Sequence, residues 1–334
     1  MTTYIIRRVL AVIPTLFIIS FVSFAFIRMV PGVPATAMLG EKATKESIDR
    51  VKEAWGLDRP ITEQYIKYLE QVLQGNLGIS IMSHMPVVDE LAYRLPATIE
   101  AIIFALFIGV SVGLALGIVA ALRHNTPVDT GATLGALIGV SIPIYWLALM
   151  LIYLFAVNLK ILPTSGRLDA QFTIPRVTGF YTIDSLIMGR LDIFGNVIHH
   201  MILPSIVLSI SVMPGIARLT RTSILEVMRQ DYIRTARAKG LPARKVMLKH
   251  TLRNALLPVV TAIGMTIGGM LGGAILTEQI FSWTGMGSWT YRAISNRDYP
   301  VMQITIMFSA FIYVFATLIV DISYAFIDPR IRFK

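Results

Sequence analysis

Apolar positions along this chain gather into six long runs: Val9–Val30, Ala97–Leu122, Gly131–Val157, Met201–Ala217, Leu256–Thr277 and Val301–Val320. A helix needs about 20 residues to cross the roughly 30 Å hydrocarbon layer of a bilayer, so each run predicts a membrane span. The first run is longer than the apolar core of a secretory signal, about 7–15 residues. No A-x-A-like cleavage site follows it, so it reads as a retained span.

The polar stretches between the runs differ in kind. Pro31–Pro96 carries helical punctuation: Lys45–Trp55 stops at Gly56, and Pro60 precedes Ile61–Gln74. In the second of these, Ile61, Tyr65, Tyr68, Leu69 and Val72 recur on one face before Gly75. Such a stripe needs a surface, either the protein's own outer loops, which it would cover as a lid, or an external partner. Asn158–His200 is punctuated by Gly, Pro and Asp and predicts loops with short elements. Ser223–Pro258 predicts short surface helices in which eight Lys and Arg face only Glu226 and Asp231.

Composition agrees with the runs. With 55% hydrophobic and 15% charged residues and a mean hydropathy of +0.67, the chain has too little polar surface for a soluble globule. It reads as an all-α integral membrane protein, one membrane domain over residues 1–334 with external excursions at 31–96 and 158–200. Placing residues 1–8, 123–130, 218–255 and 328–334 on one side collects 16 of the 30 Lys and Arg against four acids. By the positive-inside rule that side, with both termini, is cytoplasmic. Topology thus accounts for the net charge of +10, and a nucleic-acid-binding reading of the basic balance falls away. The absence of cysteine excludes a disulfide frame and thiol chemistry.

Glycines recur every four residues inside three runs: Gly109, Gly113 and Gly117; Gly131, Gly135 and Gly139; Gly264, Gly268 and Gly272. This spacing predicts close helix packing. The residues supply no catalytic constellation. His199 and His200 are adjacent and point apart on a helix, His84, His124 and His250 are isolated, and all five read as loop or interfacial residues. There is no G-x-S-x-G elbow, and the runs hold no carboxylate pair for intramembrane acid–base work. Energy coupling is missing too. A proton- or ion-driven carrier holds ionisable groups at midplane, whereas Arg28, Glu100, Arg218 and Asp321 lie near run ends. No phosphate-binding G-x-x-x-x-G-K-[ST] loop occurs. Uphill transport would therefore draw its energy from another subunit.

The basic segment is the natural contact for that subunit. Ser223–Lys239 sets Leu225, Met228, Tyr232 and Ala236 on one helical face, with Arg234, Arg237 and Arg244 nearby for a charged one. A break follows at Gly240-Leu241-Pro242, and Pro242 can start a second helix reaching about Asn254. Taken alone, this is equally an interfacial amphipathic element bound to anionic lipid.

The segment resembles the cytoplasmic coupling loop of ATP-binding-cassette importer permeases. Its landmarks are Arg234-Thr235-Ala236, Gly240 and the downstream Leu257-Pro258. Arg-Thr-Ala stands where the general pattern has Glu-Ala-Ala, and Gly240 lies farther from Leu257-Pro258 than in the general consensus; both departures resemble the peptide subfamily. The likeness covers the whole chain: RRVLAVIPTLF, GLDRPITEQY, NLGIS, RLPATIE, LPTSGR, ILTEQIFSWTGMG, RDYP and DISYAFIDPRIR. At Thr284 the family usually has proline, which implies a turn that is kept but less rigid. Taken together, these motifs are similar to the dipeptide/oligopeptide/nickel permease family and closest to its dipeptide-type first subunit.

The resemblance implies a type I importer permease with six spans and a coupling loop over 223–255, in a bacterial or archaeal cytoplasmic membrane. It implies a homologous second permease, two cytoplasmic ATPases that bind ATP and Mg, an external solute-binding protein, and no cofactor in this chain. On that account Tyr232, Arg234, Thr235, Ala236, Arg237, Gly240, Leu257 and Pro258 form the ATPase-coupling loop. Ala236 and Gly240 would be small enough to enter an ATPase cleft, and the external region would dock the binding protein. Di- or oligopeptides are the expected solutes, with nickel chelates, glutathione or another small solute as alternatives. A self-contained secondary carrier or a membrane scaffold fits less well.

Overall fold

A computed structural model describes the backbone of residues 2–29 and 59–327. The expected helix Lys45–Trp55 and the C-terminal tail from 328 lie outside the described residues. Helices dominate, and the only bridge among the described residues is the isolated pair Ile79 and Pro86. The chain runs α1 (Thr2–Met29), α2 (Ile61–Leu73), α3 (Val87–Leu122), α4 (Pro127–Ser141), and α5 (Ile144–Leu151) with a π-helical extension (Ile152–Asn158). It continues through α6 (Tyr181–Ile187), α7 (Leu191–Ile210), α8 (Met213–Met228) and α9 (Asp231–Ala238). Then α10 (Ala243–Lys245) and a π-turn (Val246–Leu252) lead without a gap into α11 (Arg253–Ile280), followed by α12 (Met286–Ser295) and α13 (Tyr299–Ile327).

Five of these segments are long and apolar enough to cross a membrane, and a bent pair makes a sixth when its two helices are counted as one span. The third run does not form one straight helix: Pro127–Ser141 and Ile144–Asn158 meet at 101°. Pro143 explains the bend, because a proline ring disfavours helical backbone at the residue before it, and Ile142 is extended (φ −77, ψ 124). The fourth run is also divided. Its helix begins earlier than expected, at Leu191, and ends at Ile210; Met213-Pro214 then starts α8. Between them Ser211 N–H bonds to Leu208 O (3.2 Å) and Val212 N–H to Ser209 O (3.0 Å), a turn tightened to i−3 bonding.

Around the bundle centre Ala97, Ala101, Ala105, Val197, Met201, Leu208, Ile216, Val259 and Met270 form one buried cluster. Small residues on α3 let α8 approach it closely. A Cβ on Gly113 would lie 2.8 Å from Met213 O, and on Gly117 2.5 Å from Ala217 O and 2.6 Å from Thr220 Cβ. The first glycine stripe therefore does what its spacing predicts. The second does so only at Gly139, near Pro214; Gly131 and Gly135 face open space within this chain. In the third, Gly268 is filled by the Tyr313 ring, while Gly272 has no neighbour. We expect Gly117→Leu to abolish stable folding and Gly131→Leu to leave the melting temperature of the isolated chain within a degree or so, as ordinary open-surface changes do. Equal effects of the two, measured by thermal unfolding in detergent, would refute the packing assignment.

The middle of the α2 stripe packs on the first span, whereas Ile61 at its start is 60% exposed. Tyr65 meets the rings of Phe17, Phe21 and Phe24 edge-on, with centroids 5.2–5.6 Å apart. Its hydroxyl lies 2.8 Å from Ser20 Oγ. That leaves the opposite face of α2, with Ile66 at 64%, exposed.

Candidate functional site

Two regions carry chemistry, one at each end of α3. Near its C-terminal end, the bundle meets the basic segment. Asp129, 4% exposed, accepts bonds from Arg221 Nε (2.5 Å) and Nη2 (2.7 Å) and from Asn125 N–H (3.0 Å). This pair ties the first turn of α4 to α8, the helix that leads into the loop.

Ser223–Lys239 is not one helix. α8 ends at Met228, Gln230 is extended (φ −71, ψ 145), and α9 starts at Asp231. An acid in the first turn suits the positive end of the helix dipole. At its other end α9 closes with a Schellman cap. Gly240, at φ +73, donates to Arg237 O (2.9 Å), and Leu241 N–H donates to Ala236 O (3.4 Å). Ile233, Ala236 and Val246, with Val227 and Leu241, make a small core beneath the loop.

This core redistributes the expected roles. Ala236 is only 7% exposed, so its small side chain serves the loop's own packing. Tyr232, expected on the same apolar face, is 44% exposed, and the buried residue is Ile233. The Tyr232 hydroxyl instead accepts a bond from Asn254 Nδ2 (3.0 Å). Arg234, Thr235, Arg237 and Gly240 are exposed, and a Cβ on Gly240 would meet nothing within 4 Å. The second helix does not stop near Asn254: it passes through the π-turn into the fifth span. Leu257 and Pro258 therefore sit in the first turns of α11, outside the exposed loop.

The opposite end of the bundle holds a buried polar centre that sequence reasoning did not assemble. Glu100 is not a run-end charge in water: it is 2% exposed and accepts from Arg167 Nη2 (2.7 Å), Thr182 N–H (2.8 Å) and Thr182 Oγ1 (2.6 Å). The Arg167 guanidinium lies 3.7 Å from the Tyr181 ring centroid and 5.5 Å from that of Trp283. Nearby, Thr98 Oγ1 donates to Glu278 (2.5 Å) and accepts Met286 N–H (2.7 Å), while Ser288 N–H donates to Glu278 (2.9 Å). Trp283 Nε1 donates to Ala97 O (2.9 Å). The turn at Thr284 is kept, closed by Gly285 N–H to Trp283 O (2.8 Å).

The segments RLPATIE, LPTSGR and ILTEQIFSWTGMG, far apart in sequence, thus meet at one place. NLGIS and RDYP meet beside it, where Ser80 Oγ donates to Asp298 (2.6 Å). The available signal was an acid set among apolar residues, which in a bilayer demands a partner.

His199 and His200 lie on α7 rather than in a loop, and they do point apart. His199 Nε2 is 2.7 Å from Ile161 O, and His200, 5% exposed, lies 3.0 Å from Asp169 Oδ1. Asn196 and His200 together hold the Asp169 carboxyl below its usual range. In the same loop the Asp184 carboxyl is lowered as well: burial pushes it up, but bonds from the Thr178 hydroxyl and from the Thr178, Gly179 and Val177 amides outweigh that.

A helical bundle of five membrane-length apolar helices and a bent pair, with its helical hairpin of basic residues ahead of α11, defines the class: a multi-pass permease of the type I ATP-binding-cassette fold. Residues 113–333 match the family "Binding-protein-dependent transport system inner membrane component", and residues 1–102 match its N-terminal counterpart. The chain belongs to this family of cytoplasmic-membrane permeases. It is 44% identical to the dipeptide transport system permease protein DppB of Alkalihalophilus pseudofirmus, with all of both chains aligned. Identity to the Escherichia coli K12 protein of the same name is 43%, again over the full length of both. The glutathione transport system permease protein GsiC of Escherichia coli is 39% identical over both full lengths.

Proposed function

We propose that this chain is one of two permease subunits of an ATP-driven importer of di- or oligopeptides. The observation that carries the proposal is full-length similarity, at 43–44%, to dipeptide permeases. In this reading a homologous second permease completes the pathway, two cytoplasmic ATPases hold ATP and Mg, and an external solute-binding protein delivers the peptide. The α9 loop is the ATPase contact: Arg234 and Arg237 are offered on its surface, while Ile233 and Ala236 fix its shape. Exposed Tyr232 and Thr235 belong to the same surface, whereas Leu257 and Pro258 anchor the loop to the fifth span. A glutathione importer is the second reading, favoured by the relative at 39% identity; a nickel-chelate importer would use the same machine.

Reconstitution tests the whole proposal. The purified chain alone should hydrolyse no ATP above background. With its partner permease and ATPases it should hydrolyse ATP and take up alanyl-alanine when the binding protein is added. Uptake of glutathione but not of dipeptides would decide for the second reading, and uptake by the chain alone would sink both.

Orientation follows the charge bias, with the basic loop and both termini in the cytoplasm and the Glu100–Arg167 centre near the external face. Because the sequence lacks cysteine, single cysteines report topology directly. Those at Lys67 and Arg176 should react with an impermeant thiol reagent in intact cells, and one at Arg244 only after lysis. Labelling of position 244 in intact cells would reverse the orientation.

A further inference from the structure

Near the end of the bundle that meets the basic loop, α3, α4 and α8 enclose a groove of about 230 Å³. Its walls are apolar: Leu116 on α3, Ala136, Leu137 and Val140 on α4, and Pro214 on α8. The α4 wall opens outward, with Leu134, Leu137, Ile138 and Val140 each more than half exposed and Gly131 and Gly135 without a neighbour. Two cations line the same groove, Arg218 and Arg221. Arg221 is spent on Asp129. Arg218, on the same helix, is exposed, and its guanidinium has no ion pair or hydrogen bond among the described residues. Its depth is set by the close contact of Gly117 with Ala217. From Gly117 to the end of α3 at Leu122 is about 7–8 Å at helical rise, a distance that an arginine spans by snorkelling to the membrane surface.

We infer that this groove holds one anionic phospholipid, with an acyl chain along the apolar walls and the phosphate on Arg218. A cation at the membrane surface attracts anionic lipid, and the planar fork of a guanidinium matches phosphate oxygens. A protein helix seated in the groove would instead cover Arg218 and need an acid opposite it, because a charge taken out of water is tolerated only when paired. A lipid brings that counter-charge in its headgroup and presents only hydrocarbon to the rest of the groove. With Asp129 cancelling Arg221, the groove carries one net positive charge, which suits a singly charged headgroup such as that of phosphatidylglycerol. Once seated, the lipid braces α4 against α8, the helix that leads into the basic loop. The inference needs only the membrane class of the protein and is independent of the solute.

The test titrates the purified full chain in detergent with phosphatidylglycerol or phosphatidylcholine and counts bound lipid by native mass spectrometry. One uncompensated cation at the membrane surface corresponds to a preference of about fivefold for the anionic lipid. Arg218→Gln should bring that preference to about twofold or less. Arg229→Gln, an exposed change on the basic segment outside the groove, should leave it as in the wild type. Ala136→Leu, which fills the α4 wall, should weaken binding of both lipids and keep the preference. In native membranes, a photocrosslinking amino acid in place of Leu137 should form an adduct with lipid. A wild type without preference, a preference still above about twofold in Arg218→Gln, or an equal loss in Arg229→Gln would overturn the headgroup contact. Unchanged binding in Ala136→Leu would overturn the acyl seat. Crosslinking of position 137 to protein instead of lipid would overturn the whole site, as the sign of a helix from another subunit packed there.

Discussion

Arg167→Met should destabilise the protein by about 3–5 kcal/mol, because it strands the Glu100 carboxylate in a buried site with only Thr182 to bond it. Arg167 and Glu100 are 4% and 2% exposed at their side chains and 2.7 Å apart. Two ionised groups taken out of water cost several kcal/mol each, and their mutual bond, with the Thr182 donors and the Tyr181 ring, offsets that cost only while all are present. The double change Arg167→Met/Glu100→Gln removes both charges and keeps an acceptor for Thr182 N–H, so much of the loss should return. Unfolding of the three variants in mild detergent measures this. A single variant as stable as wild type would show the pair to be dispensable, and a double variant no better than the single would show that the stranded charge is not the cause.

Gly240→Val should abolish coupling while leaving the bundle intact. At φ +73 an L-residue pays about 1–2 kcal/mol, and a β-branched one is a genuine outlier there. Nothing lies within 4 Å of the Cβ position, so the penalty is backbone strain alone, and it falls on the Schellman cap that ends α9. Fraying that cap releases Arg237 and Lys239 from their fixed pose. A loss of about 1.4 kcal/mol is tenfold in the equilibrium constant for seating the loop in an ATPase, so at sub-saturating ATPase, peptide uptake and stimulated ATP hydrolysis should both fall up to about tenfold. Gly240→Asn, which tolerates the left-handed region, should keep most activity. Membrane insertion and pairing with the second permease should be normal in both. Equal activity of the Val and Asn variants would remove the cap from the mechanism, and loss of the Val protein from the membrane would make Gly240 structural.

The loop shows where a linear reading stops. Periodicity placed helix around Ile233 and a break at Gly240, but it set Tyr232 on the apolar face with Ala236, whereas Tyr232 is 44% exposed and Ile233 is buried. The difference arises at Gln230. A single extended residue there restarts the helix, so faces counted from Ser223 do not carry across the break. Leu257 and Pro258 changed place for a related reason: the helix after Pro242 has no stop signal before α11, and a π-turn absorbs the change of phase.

What the sequence determined by itself is everything set by local composition. Apolar run length fixed the membrane class and the approximate spans. Glycine spacing marked α3 as a close-packing helix without naming its partner, and the linked motifs pointed to the family. The tertiary structure alone decided the rest, since it depends on which distant residues meet. Pro143 bends the third span by an angle that only packing fixes. Gly131 and Gly117 have the same chemistry, yet only one has α8 against it. Glu100 and Arg167 stand 67 residues apart, and no window along the chain reveals that each is the other's counter-charge; a bilayer permits a buried charge only where the fold supplies a partner.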